Sequence, residues 1–164
     1  MTAKQYERML SWFRRQPLLA KMVVGVTKGL PVLFMVGYIG LCTWLYWFRD
    51  GRLWRVLAVP AVTLGVTLTL RRLINRPRPY EVYRFSPLIS REKPGQSCPS
   101  NHAVSAMIIA LTALYLSPTV GLLALLAALL VAVSRVTVGV HWLGDIIVSV
   151  VIAVLIGFLG FWIF

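Results

Sequence analysis

Long apolar stretches, separated by short polar breaks and one long one, organise the 164 residues. The first runs from about Val23 to Phe48 and is apolar apart from Lys28, long enough to cross a hydrocarbon core of ~30 Å. The turn Arg49-Asp50-Gly51-Arg52 leads into a second run, about Leu53 to Leu70, which stops at Arg71-Arg72. Two further runs, Ala103–Leu116 and about Val120–Val133, flank Ser117-Pro118-Thr119 and predict a helical hairpin, and a last run extends from about Trp142 to Phe164. Residues 71–101 are polar and carry Pro77, Pro79, Pro87, Pro94, Gly95 and Pro99, which predicts a long irregular loop outside the lipid. Residues 1–20 interleave Lys4, Arg8, Arg14 and Arg15 with Tyr6, Met9, Leu10, Trp12 and Phe13, the pattern of an amphipathic helix lying in the membrane interface rather than of a cleaved signal peptide. The expected fold is all-α: a polytopic membrane helical bundle of about five spans plus an N-terminal amphipathic helix, one domain over 1–164 with no internal repeat.

Composition strengthens this reading. The chain is 59% hydrophobic with a mean hydropathy of +0.78, outside the range of ordinary soluble domains. Its formal net charge of +12 arises from 17 Lys and Arg against five acids, which calls for an anionic partner or surface. For a membrane protein, lipid phosphate is nearer than nucleic acid. Cys42 and Cys98 form neither a disulfide framework nor a metal-binding pattern.

Five crossings put the N-terminus, the 71–101 loop and the Arg135–Asp145 connection on one membrane face, which collects nearly all the polar residues. The opposite face holds Arg49, Asp50, Arg52, Arg55 and the Ser117-Pro118-Thr119 turn. Both histidines, His102 and His141, fall at span starts on the crowded face, as do Arg71, Arg78 and Arg135. Each has an ordinary explanation. Arginines at span ends are commonly topology signals or snorkelling anchors, and a polar residue opening a helix commonly caps it. Asp145 is harder to dismiss, because an acid just inside an apolar run requires a partner. His141 lies four residues earlier, and on one helix the two side chains would share a face. The carboxylate would then accept a hydrogen bond from one imidazole nitrogen and leave the other as a nucleophile.

Three motifs carry a family resemblance: Arg71-x6-Arg78-Pro79, Pro99-Ser100-Asn101-His102, and Ser134-Arg135-x5-His141-x3-Asp145. In order, spacing and placement at span ends they resemble the signature of the type 2 phosphatidic acid phosphatase family, which shares its anion site with vanadium haloperoxidases. The family's first motif opens with Lys where this chain has Arg71, and its second often has Gly where this chain has Asn101. The resemblance extends from about Leu53 to the C-terminus. Many members have six spans, so the chain resembles a trimmed member whose first span is reduced to the amphipathic helix.

The resemblance implies a lipid phosphatase acting through phosphohistidine. Arg71, Arg78, Ser100, Asn101 and Arg135 would hold the phosphoryl group. His141 would attack phosphorus, Asp145 would orient it, and His102 would protonate the leaving oxygen and later activate water. The carboxylates are too few to cage a magnesium ion, so no metal and no other cofactor is expected. Arg72, Arg76, Arg84, Arg91 and Lys93 read as solvated loop charges. Candidate substrates are undecaprenyl diphosphate, phosphatidylglycerophosphate and phosphatidic acid. Two other readings remain: a phosphotransferase discharging the same intermediate to another acceptor, and a non-catalytic anionic-lipid binding or transport protein, which would need the arginines but not the His141–Asp145 pair. The expected location is the cell membrane. The Lys and Arg excess predicts that the crowded face is cytoplasmic, whereas many bacterial members of the resembled family face outward.

Overall fold

The computed structural model describes residues 1–90 and 94–164; Arg91 and Lys93, read above as loop charges, lie outside the described residues. Among them every regular element is helical: α1 (Ala3–Arg15), α2 (Pro17–Trp47), α3 (Leu53–Ile74), α4 (Pro79–Tyr83), α5 (Asn101–Leu116), α6 (Pro118–Thr137) and α7 (Leu143–Phe158), the last continued by a π-helical turn over Leu159–Ile163. Among the described residues four helices are long and apolar enough to cross a membrane: α2, α3, α6 and α7 with its π turn. The fifth apolar helix, α5, has 16 residues and rises about 24 Å, short of a ~30 Å core. At least one of its ends therefore lies below the level its neighbours reach.

α5 is the centre of the bundle and packs against α2, α3, α6 and α7. Its buried residues (Ala103, Val104, Ala106, Met107, Ile108, Ala110, Leu111 and Thr112) face all directions, as a helix surrounded by others requires. Small residues allow the close approaches. A Cβ on Gly121 would stand 2.1 Å from the Leu114 Cα, so the α5–α6 hairpin can close this tightly only with glycine there. At the far end of the bundle, Tyr38 Oη of α2 donates to the Val56 carbonyl of α3 at 2.9 Å, and Arg55 donates to Tyr115 Oη and to the Phe164 carbonyl.

Several boundaries differ from those the sequence suggests. α2 begins at Pro17 rather than near Val23, because proline at the first helical position is compatible with a helix start. α3 continues past Arg71 to Ile74 and ends on Asn75 in the left-handed region (φ 39°), so Arg71 sits on a helix and the loop begins four residues later. Within the loop Pro79 starts the short α4, and Glu81 accepts from the backbone N–H groups of Arg78 and Gly95, joining two points 17 residues apart.

The N-terminal helix has a contact that its periodicity does not reveal. α1 is amphipathic, and part of its apolar face rests on protein while Trp12 stays exposed. Tyr6 and Leu10 are fully buried, in a cluster with Tyr80, Phe85, Ala103, Val138, Val140 and Ile146. Tyr6 stacks on Phe85 at 5.4 Å and meets Trp142 edge-on at 5.9 Å, while Arg14 donates to the Ser86 carbonyl. α1 thus clamps the long loop and the α6–α7 connection from outside. Interfacial lipid and an aromatic protein surface offer the same helix face similar apolar burial, so its periodicity does not distinguish them.

Candidate active site

The α6–α7 connection places the chemistry. α6 ends at Thr137 just after Arg135, and Gly139 reverses the chain with φ +84°. A Cβ there would be strained and would stand 2.9 Å from the Phe85 ring. His141 follows in a bend before the helix, Trp142 is the extended N-cap of α7, and Asp145 occupies its N3 position. His141 is therefore not on the helix that carries Asp145, contrary to the shared-face expectation. The acid serves as that helix's cap: its carboxylate accepts the Trp142 N–H at 3.1 Å, which ends the helix before His141.

The hydrogen bonding of His141 differs in consequence. Nδ1 lies 2.8 Å from the Ser97 carbonyl oxygen and 3.6 Å from Asp145 Oδ2. A carbonyl can only accept, so Nδ1 carries a proton, and in the neutral ring the lone pair is then on Nε2. The carbonyl fixes the tautomer, and the carboxylate stands behind it as a charge. Asp145, fully buried, is itself held by three donors: Arg76 Nη1 to Oδ1 at 2.8 Å, and both Ser97 Oγ and the Trp142 N–H to Oδ2. The Arg76 guanidinium lies 5.2 Å from the Trp142 ring, a cation–π contact, and the Trp142 indole N–H donates to the Pro77 carbonyl at 2.8 Å.

Arg76 and Ser97 are members of this network that sequence reasoning missed, and Arg76 was assigned to the solvated charges. The available signal was arithmetic: a buried carboxylate has about four acceptor sites, and one histidine cannot fill them. Tyr6 is a third omission. Its hydroxyl, fully buried, donates to the His141 carbonyl at 3.0 Å. Burial, with the Asp145 charge second, pushes the Tyr6 pKa up to about 12, so it remains a donor throughout the neutral range.

The other residues named from the sequence converge on the same end of the bundle. Arg78 is buried and donates to the Gly95 and Val140 carbonyls at 3.2 and 3.3 Å. Arg71 donates to the Pro99 carbonyl at 2.9 Å from the last turn of α3. Arg135 is buried at the end of α6. Ser100 precedes α5; its N–H donates to Ser149 Oγ at 2.7 Å, and Ser149 in turn donates to the Asp145 carbonyl. Neither the buried Ser100 hydroxyl nor Asn101 Oδ1 has a hydrogen-bond partner among the described residues. Asn101 and His102 form the first turn of α5, where backbone N–H groups and the helix dipole favour an anion. Arg72 and Arg84 are exposed. Among the described residues no three His, Cys, Asp or Glu side chains gather as a metal ion would require.

A groove of about 720 Å³ opens beside the first turn of α5, between α2 and α5, and reaches Asn101, His102 and Arg135. His141, Arg78, Ser100 and Asp145 do not line it and lie buried. Two apolar recesses, of about 390 and 580 Å³, share Ile109 with it and carry the apolar surface along α2 towards Trp44 and Arg52 at the far side.

A bundle of apolar helices with arginines and histidines gathered at one end is a polytopic membrane protein whose basic side chains concentrate at one membrane face. The chain belongs to the PAP2 superfamily, whose profile matches residues 52–164, and it is a multi-pass lipid phosphatase of the cell membrane. It is 28% identical over 148 residues to the undecaprenyl-diphosphatase BcrC of Bacillus subtilis (strain 168), an alignment covering 88% of this chain and 74% of that protein. Its fold is similar to the crystal structure of Aquifex aeolicus LpxE (TM-score 0.75, 21% identity, covering 96% of this chain and 92% of that one). It is also similar to the PAP2-type phosphatidylglycerolphosphate phosphatase of Bacillus subtilis (TM-score 0.71, 24% identity, 96% and 81% covered).

Proposed function

We propose that the chain hydrolyses the terminal phosphate of a lipid phosphate or diphosphate, with His141 as nucleophile and no metal. The observation that carries this reading is the 2.8 Å contact between His141 Nδ1 and the Ser97 carbonyl oxygen. Held at Nδ1 by the Ser97 carbonyl, the neutral ring would offer Nε2 as nucleophile at the end of the bundle to which Arg71, Arg78 and Arg135 also belong. A binding protein would need the arginines but not a histidine prepared in this way. In the first step Nε2 attacks phosphorus, the bond from phosphorus to the leaving oxygen breaks, and His102 gives that oxygen its proton. The product is phosphohistidine and a lipid alcohol or lipid monophosphate. In the second step His102 removes a proton from water, the resulting hydroxide attacks phosphorus, the P–N bond breaks, and inorganic phosphate leaves. Arg71, Arg78 and Arg135, with Ser100, Asn101 and the first N–H groups of α5, neutralise the phosphoryl oxygens in both transition states. The unpartnered Ser100 hydroxyl supports that role, since a buried hydroxyl without a bond costs free energy until a ligand supplies one.

The groove between α2 and α5 supports entry from the bilayer, with the tail along α2 and the phosphate at the end of the bundle. Undecaprenyl diphosphate, phosphatidylglycerophosphate and phosphatidic acid each have this shape, and the name of the BcrC relative favours the first. Phosphate release from the three lipids, assayed in detergent with excess chelator, tests the reading. Release that survives chelator supports it. Release that chelator abolishes, or no release from any lipid, overturns it.

Tyr6 tests whether α1 belongs to the catalytic unit. Tyr6→Phe removes the donor to the His141 carbonyl at nearly constant volume. The expected result is a loss of about 1–2 kcal/mol of stability with a roughly tenfold lower kcat at little-changed KM. A thermal melt combined with a kinetic assay reads both, and unchanged kcat assigns Tyr6 to folding alone.

A further inference from the structure

Lys28 is the one charged residue in the apolar run from Val23 to Phe48. It makes no ion pair and no hydrogen bond to any described residue, while its side chain lines the same groove as Asn101, His102 and Arg135. No acid lines that groove among the described residues. Lys28 is exposed, and a cation on a membrane-spanning helix with no acid beside it among the described residues is a group that an anionic ligand can meet. Pro31, also on the groove wall, lacks an N–H and so withdraws the helical donor that would serve the Thr27 carbonyl. The wall of α2 is therefore polar at this level, one turn above the apolar surface formed by Phe34, Met35 and Ile109.

We propose that Lys28 is the subsite for the second phosphate of a lipid diphosphate. This rests on the phosphatase reading above and deepens it by naming the substrate class. A terminal phosphate seated among the arginines leaves the tail to run down the groove along α2. The group between them, in a diphosphate, is the phosphate that carries the tail. Lys28 lines the groove together with Asn101, His102 and Arg135 at one end and Phe34, Met35 and Ile109 towards the apolar recesses, which suits it to that phosphate. Because Cα–Cβ bonds in a helix tilt towards its N-terminus, the lysine side chain also rises towards the end of the bundle that holds His102 and Arg135. A lipid monophosphate has no anion for it. The ordinary alternative, a lysine snorkelling to the interface as a membrane anchor, predicts no discrimination between the two lipids.

The test compares an isoprenyl diphosphate with the isoprenyl monophosphate of the same tail, using wild type, Lys28→Met and Lys28→Arg. Met keeps the length and removes the charge, and an apolar residue at a lipid-exposed position does not oppose insertion. The expected result for Lys28→Met is a fall in kcat/KM of about 10- to 100-fold on the diphosphate, mainly through KM, and less than about twofold on the monophosphate. Lys28→Arg should recover most of the loss. Binding of the diphosphate to His141→Ala protein, with and without Lys28→Met, should show the same difference without turnover. Equal effects on both lipids, or none on either, overturn the subsite and leave the phosphatase reading standing. No phosphate release by wild type from either lipid overturns both.

Discussion

His141→Ala should lower phosphate release by on the order of 10³-fold or more, because the substitution removes the atom that forms the bond to phosphorus. No other described group can replace it. His102, exposed in the first turn of α5, is assigned to the leaving oxygen, and a guanidinium such as that of Arg71, Arg78 or Arg135 offers no lone pair for attack. The Ser97 carbonyl loses its Nδ1–H donor in the variant, an unsatisfied buried acceptor costing about 1–3 kcal/mol. Size-exclusion elution and a melting curve therefore accompany the rate measurement. A folded variant with a rate within tenfold of wild type would remove His141 from the nucleophile's position. A folded, inactive variant that still binds the lipid separates chemistry from anion binding, since the arginines are untouched.

The parts of the fold and site visible in the sequence are those governed by local rules. Apolar run length reports membrane crossing, so the helices could be read one by one, and the three motifs brought His102, His141, Asp145 and the arginines to one end by parity alone. What the sequence hid depends on contacts between distant segments. Ser97 meets His141 and Asp145 across 44 and 48 positions, and Arg76 meets Asp145 across 69. Nothing in a run of loop residues marks one of five basic side chains (Arg72, Arg76, Arg84, Arg91 and Lys93) as the partner of a buried acid. The His141–Asp145 spacing was misleading for a physical reason: four residues are one helical turn only where the helix continues, and Asp145 itself caps the helix that begins at Leu143. Tyr6 was hidden because the α1 face carrying it would suit lipid as well as the aromatic surface formed by Phe85 and Trp142.

That network makes Asp145→Asn the second large effect. The carboxylate accepts from Arg76 on one oxygen and from Ser97 Oγ and the Trp142 N–H on the other. An amide offers one oxygen and one NH₂. If its nitrogen faces Arg76, two N–H donors oppose each other; if it faces Ser97 and Trp142, the same conflict arises at the cap of α7. Either orientation also removes the negative charge 3.6 Å from His141 Nδ1, where positive charge accumulates as the ring attacks. The expected result is a fall in kcat of about 10²- to 10⁴-fold. The stability loss should be near the low end of the range for breaking a buried ion pair, about 3 kcal/mol, because the Arg76 side chain is 42% exposed. A double-mutant cycle with Arg76→Met separates these effects. Once Asp145 is Asn, removing the guanidinium should cost little further activity and should restore part of the stability, since the unpaired donor has gone. If the two substitutions instead lower the rate independently, Arg76 contacts the phosphate itself and the acid is oriented by Ser97 and Trp142 alone.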